Sequence, residues 1–217
     1  MRLGAIACLW LLASLVPHGY AASQTAVPAQ GGRDDFLQRV RARILQSQPF
    51  RVDFVQQVYV DKEMILEESG IIVFADRDHV KWQYLDPDFK VFILEKGRYR
   101  FYDRENNQLL RGRLGEQQEQ LVWELLLSDR PNGAASWDAG RRTIRLPLDG
   151  TSGTDGAQEL KIVVGAGLLP ERVEQAAEND VTTVYIFRNY RSRVALPAGE
   201  FDLDLPADVE IIEEQAP

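Results

Sequence analysis

The chain has 217 residues, of which 45% are hydrophobic, and its 25 basic and 33 acidic side chains give a formal net charge of −8. This length and apolar content suit one domain with a substantial core. The acidic balance disfavours binding to nucleic acids and to anionic lipid headgroups, because both carry negative charge.

The N-terminus has the pattern of a secretory signal peptide over residues 1–21. Arg2 supplies a positive charge, and residues 3–16 form an apolar run that is too short to cross a bilayer. Gly19 and Ala21 provide small side chains at the −3 and −1 positions of a cleavage site. We therefore expect an exported protein that is cleaved after Ala21.

The single cysteine, Cys8, lies within this predicted signal. Its acylation is disfavoured, because too few residues precede it to form an apolar run. Removal of Cys8 with the signal would exclude disulfides, thiol catalysis and cysteine-ligated metals from the mature protein. The mature chain is expected to have a flexible arm over residues 22–33 and a single domain over residues 34–217.

The first predicted element is a helix that begins at Asp34 or Asp35, either of which can cap it, and ends near Ser47. Its apolar side chains share one stripe of the helix surface: Phe36, Leu37, Val40 and Ile44. The segments that follow alternate apolar and polar residues with the period of a half-buried strand. They are residues 50–56, 64–74, 80–84, 89–94, 99–102 and 108–113.

A second helix is predicted over residues 114–128. Its apolar side chains, among them Leu121, Trp123 and Leu125, surround most of its circumference, so it needs apolar neighbours on two sides. Further strands are predicted at residues 136–138, 143–148, 160–164, 169–174, 181–190, 201–205 and 209–212. The fold class is therefore α+β and mainly antiparallel β, with helices over a concave sheet face and room between them for an apolar ligand.

The sequence offers little that indicates catalysis. His79 lies in an acidic turn, where a lone histidine is usually solvated. The sequence lacks a Gly-x-Ser-x-Gly motif, and the Gly-Ala-Gly at residues 165–167 is followed by Pro170 in a β context, which indicates a hairpin turn. The carboxylate pairs at residues 202/204 and 213/214 are expected by chance in so acidic a chain. We expect no enzymatic activity, no cofactor and no metal site.

Several motifs, in their order and spacing, resemble the periplasmic outer-membrane lipoprotein carrier family, LolA. After a signal and a first helix comes a Phe-x-x-x-Phe-x-Gln strand at residues 50–56. The similarity continues through residues 69–74, 80–84, Pro87, 96–97 and 99–103, and ends with residues 201–212. It spans residues 34–212, nearly the whole mature chain.

The resemblance implies an unclosed β-barrel whose helices form a lid over a hydrophobic cavity. It also implies a monomeric periplasmic carrier, which takes lipoproteins by their acyl chains from an inner-membrane ABC transporter and delivers them to an outer-membrane receptor. The expected cavity side chains are Phe54, Ile71, Val73, Val80, Trp82, Tyr84, Val91, Ile93, Leu121 and Leu125. The expected lid side chains are Phe36, Val40, Ile44 and Trp123.

One position departs from the family pattern. The family often has Arg-Pro before the strand at residues 80–84, and that arginine ties the lid shut by hydrogen bonds. Here Asp76 and Arg77 stand in its place, so Arg77 is the candidate for this lid latch, and a surface arginine in an acidic turn is the alternative. The departure leaves two other functions open: a carrier of another lipid, such as a glycolipid or pigment, and a sensor or structural domain that binds protein.

Overall fold

The computed structural model describes residues 33–113, 136–138, 140–147, 159–176 and 180–214. Among them is one helix, α1, at Arg33–Ser47. The strands are β1 (Phe50–Val60), β2 (Glu63–Asp76), β3 (His79–Asp86), β4 (Lys90–Glu95), β5 (Arg98–Asp103), β6 (Gln108–Arg113), β7 (Ser136–Asp138), β8 (Thr143–Pro147), β9 (Glu159–Val164), β10 (Pro170–Ala176), β11 (Val181–Ser192) and β12 (Glu210–Glu213). Within the described residues no helix is long and apolar enough to span a membrane.

Local sequence accounts for most of these elements. Along β1 buried side chains alternate with half-buried ones, which matches the predicted period of two. The turn into β2 is made by Asp61 and Lys62, whose φ angles of 51° and 70° match the left-handed pair of a tight hairpin. The predicted first helix, the strands up to β6 and the hairpin between β9 and β10 are confirmed.

The described strands form one sheet in the order β12-β6-β5-β4-β3-β2-β1-β11-β10-β9-β8-β7. Neighbouring strands are antiparallel, except that β12 runs parallel to β6. The sheet does not close, because β7 and β12 lie at its two ends. The mainly antiparallel, unclosed sheet is thus confirmed.

Helix α1 packs on one face of this sheet, which we call the inner face. Val40 and Ile44 are fully buried in a core that includes Phe50 and Val173. At the start of α1 the ring of Phe36 stacks on Trp137 of β7, with 3.5 Å between ring centroids. Near its end Arg43 Nε donates a hydrogen bond to the carbonyl of Gly167, at 3.2 Å, in the turn between β9 and β10. Helix α1 therefore lies over the β7–β10 end of the sheet.

The opposite face, the outer face, is crossed by residues 193–209 before the chain enters β12. Arg51 donates a hydrogen bond to the buried carboxylate of Glu200 at 2.5 Å, and Lys81 also pairs with Glu200. Arg100 donates to the carbonyl of Phe201 at 2.8 Å. The predicted strand at residues 201–205 is wrong, because side chains of the sheet rather than a neighbouring strand edge hold this segment.

Candidate functional site

The inner face between β1 and β4 is a continuous aromatic surface. Phe54 contacts Trp82 and Tyr84 edge-on, with ring centroids 5.4 and 5.1 Å apart. Trp82 also meets Tyr185 edge-on at 5.4 Å. Such contacts are the favoured geometry of aromatic pairs. The faces of these rings give the wall a large apolar area.

Gly70 makes the centre of this wall possible. It is paired with Phe54 on one side and with Tyr84 on the other, so the two rings meet across a position that has no side chain. A Cβ at Gly70 would lie 1.9 Å from the carbonyl oxygen of Gln83. Strands β2 and β3 can therefore approach this closely only with glycine at this position.

The structure brings seven of the predicted site residues together in one core. Four of the predicted cavity residues and three of the predicted lid residues belong to it: Phe54, Val80, Trp82, Tyr84, Phe36, Val40 and Ile44. Each is at least nine-tenths buried. Strand register and the stripe on α1 direct both groups to the inner face.

The other four described members of the predicted cavity set lie on the outer face and are corrected here: Ile71, Val73, Val91 and Ile93. Paired residues share a face of a sheet, and Ile71 is paired with Asp53 and Gln83. Val91 is likewise paired with Gln83. The inner positions of β2 and β4 belong instead to the residues next along the chain: Ile72, Phe74, Phe92 and Leu94.

The remaining predictions concern the second helix and the latch. Leu121, Trp123 and Leu125, with the whole predicted helix at residues 114–128, lie outside the described residues. Arg77 is exposed in the turn between β2 and β3. In the same turn His79 Nδ1 lies 2.8 Å from the carboxylate of Asp76. Within the described residues no group of three or more His, Cys, Asp or Glu side chains could hold a metal ion.

Three buried polar residues that were not predicted, Gln56, Glu68 and Lys90, lie with Tyr84 on the inner face, and we call these four residues the inner polar cluster. Tyr84 donates a hydrogen bond to Gln56 Oε1 at 2.8 Å. Lys90 Nζ donates to Glu68 Oε1 at 2.6 Å. The available signal was the presence of Gln56 at a strand position whose neighbours two residues away, Phe54 and Val58, are buried and apolar.

The outer face holds a separate cavity of about 520 Å³, which we call the outer cavity. Its sheet side includes Lys81, Gln83 and Val91, and its other side is formed by residues 202–206 of the crossing segment. Val91, expected in an acyl-chain cavity, lines this mixed polar and apolar space instead.

At the α1 end of the sheet, Tyr190 ties β11 to β10. Its hydroxyl donates a hydrogen bond to the carbonyl of Pro170 at 2.7 Å. Burial, with a further contribution from the Glu171 carboxylate, raises the pKa of Tyr190 well above its ordinary value of 10.0. The phenol therefore stays protonated and keeps its donor role at any physiological pH.

Comparison with known proteins finds one matching family and several solved structures of low sequence identity. The model of a family described as outer membrane lipoprotein carrier protein LolA matches residues 46–204. No curated protein sequence matches the chain. An uncharacterized conserved protein from Thermus thermophilus is similar in structure, with a TM-score of 0.50 and 15% identity over 84% of this chain and 99% of that one. At this identity the likeness shows the fold alone.

Two further solved structures are more distant. A LolA superfamily protein from Nitrosomonas europaea has a TM-score of 0.46 and 10% identity, over 78% of this chain and 97% of that one. A putative outer membrane lipoprotein-sorting protein domain from Vibrio parahaemolyticus has a TM-score of 0.44 and 11% identity, over 77% of this chain and 95% of that one.

Proposed function

Because this chain belongs to the LolA family of outer membrane lipoprotein carrier proteins, we propose that it is a carrier. It would bind the acyl chains of lipoproteins on its inner face and shield them from water. The observation that supports this most strongly is the aromatic wall of Phe54, Trp82 and Tyr84, which lies on the same face as α1. An apolar wall on the sheet face that also carries a helix is an arrangement that suits a lipid site.

The energetics of lipid transfer explain why such a wall is needed. The transfer of each CH₂ of an acyl chain out of water is favourable by about 0.8 kcal/mol. For a chain of ordinary lipid length, the favourable transfer free energy is therefore on the order of 10 kcal/mol. A carrier must offer comparable apolar burial and still release its cargo. Opening a lid consumes part of the binding energy and lowers the net affinity to a range where transfer can occur.

In this proposal α1 is part of the lid, through Phe36, Val40 and Ile44. Leu121 and Leu125 as cavity residues, and Trp123 as a lid residue, remain predictions for the second helix. The latch role of Arg77 is also a proposal, supported by its position in the turn between β2 and β3.

The carrier would act in the periplasm as a monomer, after cleavage near Ala21. It would take lipoproteins from an inner-membrane ABC transporter and pass them to an outer-membrane receptor. We propose no covalent step, because binding and release are sufficient for transfer.

The test is binding of an apolar fluorophore, phenylnaphthylamine, to the mature protein. We expect stoichiometric binding, with a weaker affinity in Phe92→Ala, because Phe92 is a partly buried side chain packed against the core of the inner face. The matched control is Ile65→Ala, an exposed apolar residue of β2 that should bind as the wild type does. Fluorescence no higher than that of an ordinary globular protein would refute the carrier.

Mass spectrometry of material that co-purifies from the periplasm identifies the cargo. Recovery of acylated proteins supports lipoprotein transport. Recovery of a glycolipid or pigment instead would assign the protein to another lipid export system, and recovery of a protein without lipid would favour a sensor domain.

A further inference from the structure

The inner polar cluster is unusual for the place it occupies. Its four side chains lie among aromatic rings on the wall proposed to hold acyl chains. Gln56 and Glu68 are 1% exposed, Tyr84 is 4% exposed and Lys90 is 5% exposed. Buried charges are rare unless they are paired and fully hydrogen-bonded.

The pairing within the cluster is incomplete. Glu68 Oε1 accepts a hydrogen bond from Lys90, whereas Glu68 Oε2 is buried and has no hydrogen-bond partner among the described residues. On the same face of β3, the indole Nε1 of Trp82 is also buried and lacks a partner within the described part of the chain. The wall thus offers one unused acceptor and one unused donor, each of which lowers stability while it remains unpaired.

We propose that the inner polar cluster binds the polar end of an acylated ligand, which donates a hydrogen bond from a neutral amide N–H to Glu68 Oε2. This inference rests on the proposed lipid carrier and specifies the chemistry of its ligand. The acyl chain would lie along the aromatic wall of Phe54 and Trp82, and the amide would mark where the chain ends.

The charges in the cluster select a neutral donor. Glu68 and Lys90 already form a neutral ion pair, so a fatty-acid carboxylate or an amine cation buried beside them would have no counter-charge of its own. A methyl ester has only acceptor atoms, so it would leave Glu68 Oε2 buried and unpaired. An amide has an N–H that can donate to Glu68. It also has a carbonyl oxygen, which can accept a hydrogen bond from a donor such as Trp82 Nε1.

The first experiment needs only the wild-type protein. Dodecanamide and methyl dodecanoate are used separately to displace phenylnaphthylamine from the mature chain. We expect the amide to displace the fluorophore at about one tenth of the ester concentration, because hydrogen bonds to charged groups are stronger than neutral ones. Equal displacement by the two compounds would overturn the inference and leave the carrier proposal standing.

The second experiment removes the acceptor without leaving a lone buried charge. In Glu68→Met/Lys90→Met both members of the ion pair are replaced together, a change that folded proteins often tolerate. We expect the amide-to-ester ratio, measured against the variant's own fluorophore affinity, to fall within about threefold of unity. The control is Glu67→Gln, an exposed neighbour that is hydrogen-bonded to Gln57 and should keep the full wild-type ratio.

The outcomes separate the two proposals. A double variant that keeps the tenfold preference would overturn the role of Glu68. If the double variant does not fold, the wild-type ratio and the ratio of Glu68→Gln decide, since the neutral amide accepts more weakly than the carboxylate. Failure of the wild type to bind phenylnaphthylamine at all would refute the carrier proposal, and this inference with it.

Discussion

Gly70 lies where the backbones of β2 and β3 approach each other closely in the proposed site. We expect Gly70→Ala to lower the free energy of unfolding by about 3 kcal/mol, because the added Cβ would meet a backbone oxygen that cannot rotate away. Denaturant midpoints measure this loss. The matched control is Gly167→Ala in the β9–β10 turn, where an added Cβ meets nothing within 4 Å. An equal loss in both variants would contradict the steric explanation.

Glu174 of β10 makes the stability depend on acid pH. Burial raises the pKa of Glu174, but hydrogen bonds from Lys161 and Arg172 outweigh burial and hold that pKa below its ordinary value of 4.5. A pKa that is lower in the folded state stabilises the fold above pH 4.5, and this stabilisation is lost as the pH falls through the folded-state value.

The corresponding prediction uses Glu174→Gln. At neutral pH we expect it to unfold more easily than the wild type, by less than about 1 kcal/mol because both cationic partners are partly exposed. The difference in the free energy of unfolding between the wild type and Glu174→Gln should shrink as the pH falls below 4.5. Chemical denaturation at a series of pH values provides the measurement, and a difference that stays constant through the acid range would contradict this assignment.

Arg77 is the residue on which the latch proposal depends. If it holds the lid closed, Arg77→Leu should leave the fold intact and alter uptake or release in a reconstituted donor-to-acceptor transfer assay. Arg141→Leu is the matched control, since its side chain is 81% exposed in the turn between β7 and β8. Transfer at the wild-type rate by Arg77→Leu would dismiss the latch and leave Arg77 as a surface residue.

Among the elements, the crossing segment at residues 193–209 depends most clearly on charge. The carboxylate of Glu200 is 5% exposed and pairs with both Arg51 and Lys81, which emerge from the outer face. This contact holds the segment over Val73, which is 1% exposed. The outer face is therefore a second buried layer held by ion pairs, opposite the aromatic inner face.

We expect Glu200→Gln to cost about 2 kcal/mol, because two cations lose their counter-charge and one of them, Lys81, is largely buried. Hydrogen exchange should speed up in residues 193–209 and in β12, which follows them. Glu213→Gln is the control: its partner Arg111 is 46% exposed and the pair should contribute little. Unchanged exchange in Glu200→Gln would show that apolar contacts alone hold the segment.

At the scale of the whole molecule, α1 can act as a lid only if one of its ends moves while the other end stays packed in the core. Its last turn is tied down, because Arg43 donates to Gly167 and the carbonyl of Ser47 accepts from Arg193 at 3.0 Å. At its first turn, Phe36 rests on Trp137 of the edge strand β7. A lid made from α1 would therefore pivot at its C-terminal end.

This arrangement predicts unequal costs along one helix. Ile44→Glu should cost about 3 kcal/mol or more, because a buried charge at the fixed end cannot reach water. Phe36→Glu should cost about 1 kcal/mol, since the first turn can lift, and it should change phenylnaphthylamine binding. Denaturant midpoints and fluorophore titration on both variants are the measurements, and equal large costs would make α1 a fixed part of the core.

Sequence alone indicated most of the described elements and the family. Alternation predicted the strands from β1 to β6, the apolar stripe predicted α1, and the order of the motifs indicated the LolA family. The strands and the helix are local features, since each depends on side-chain spacing or turn chemistry within a few residues. Trp82 and Tyr84 were expected in the cavity because the resemblance to that family implied it.

Only the tertiary structure decided which side of each strand faces α1. Alternation distinguishes two faces of β2 and β4 but does not identify the inner one, because both faces of these strands are buried. Pairing with β1 and β3 settles the choice, so Ile72 and Phe92 take the inner positions expected for Ile71 and Val91. The same long-range pairing brings Glu68 beside Lys90, 22 positions later in the chain, a contact that local spacing does not encode.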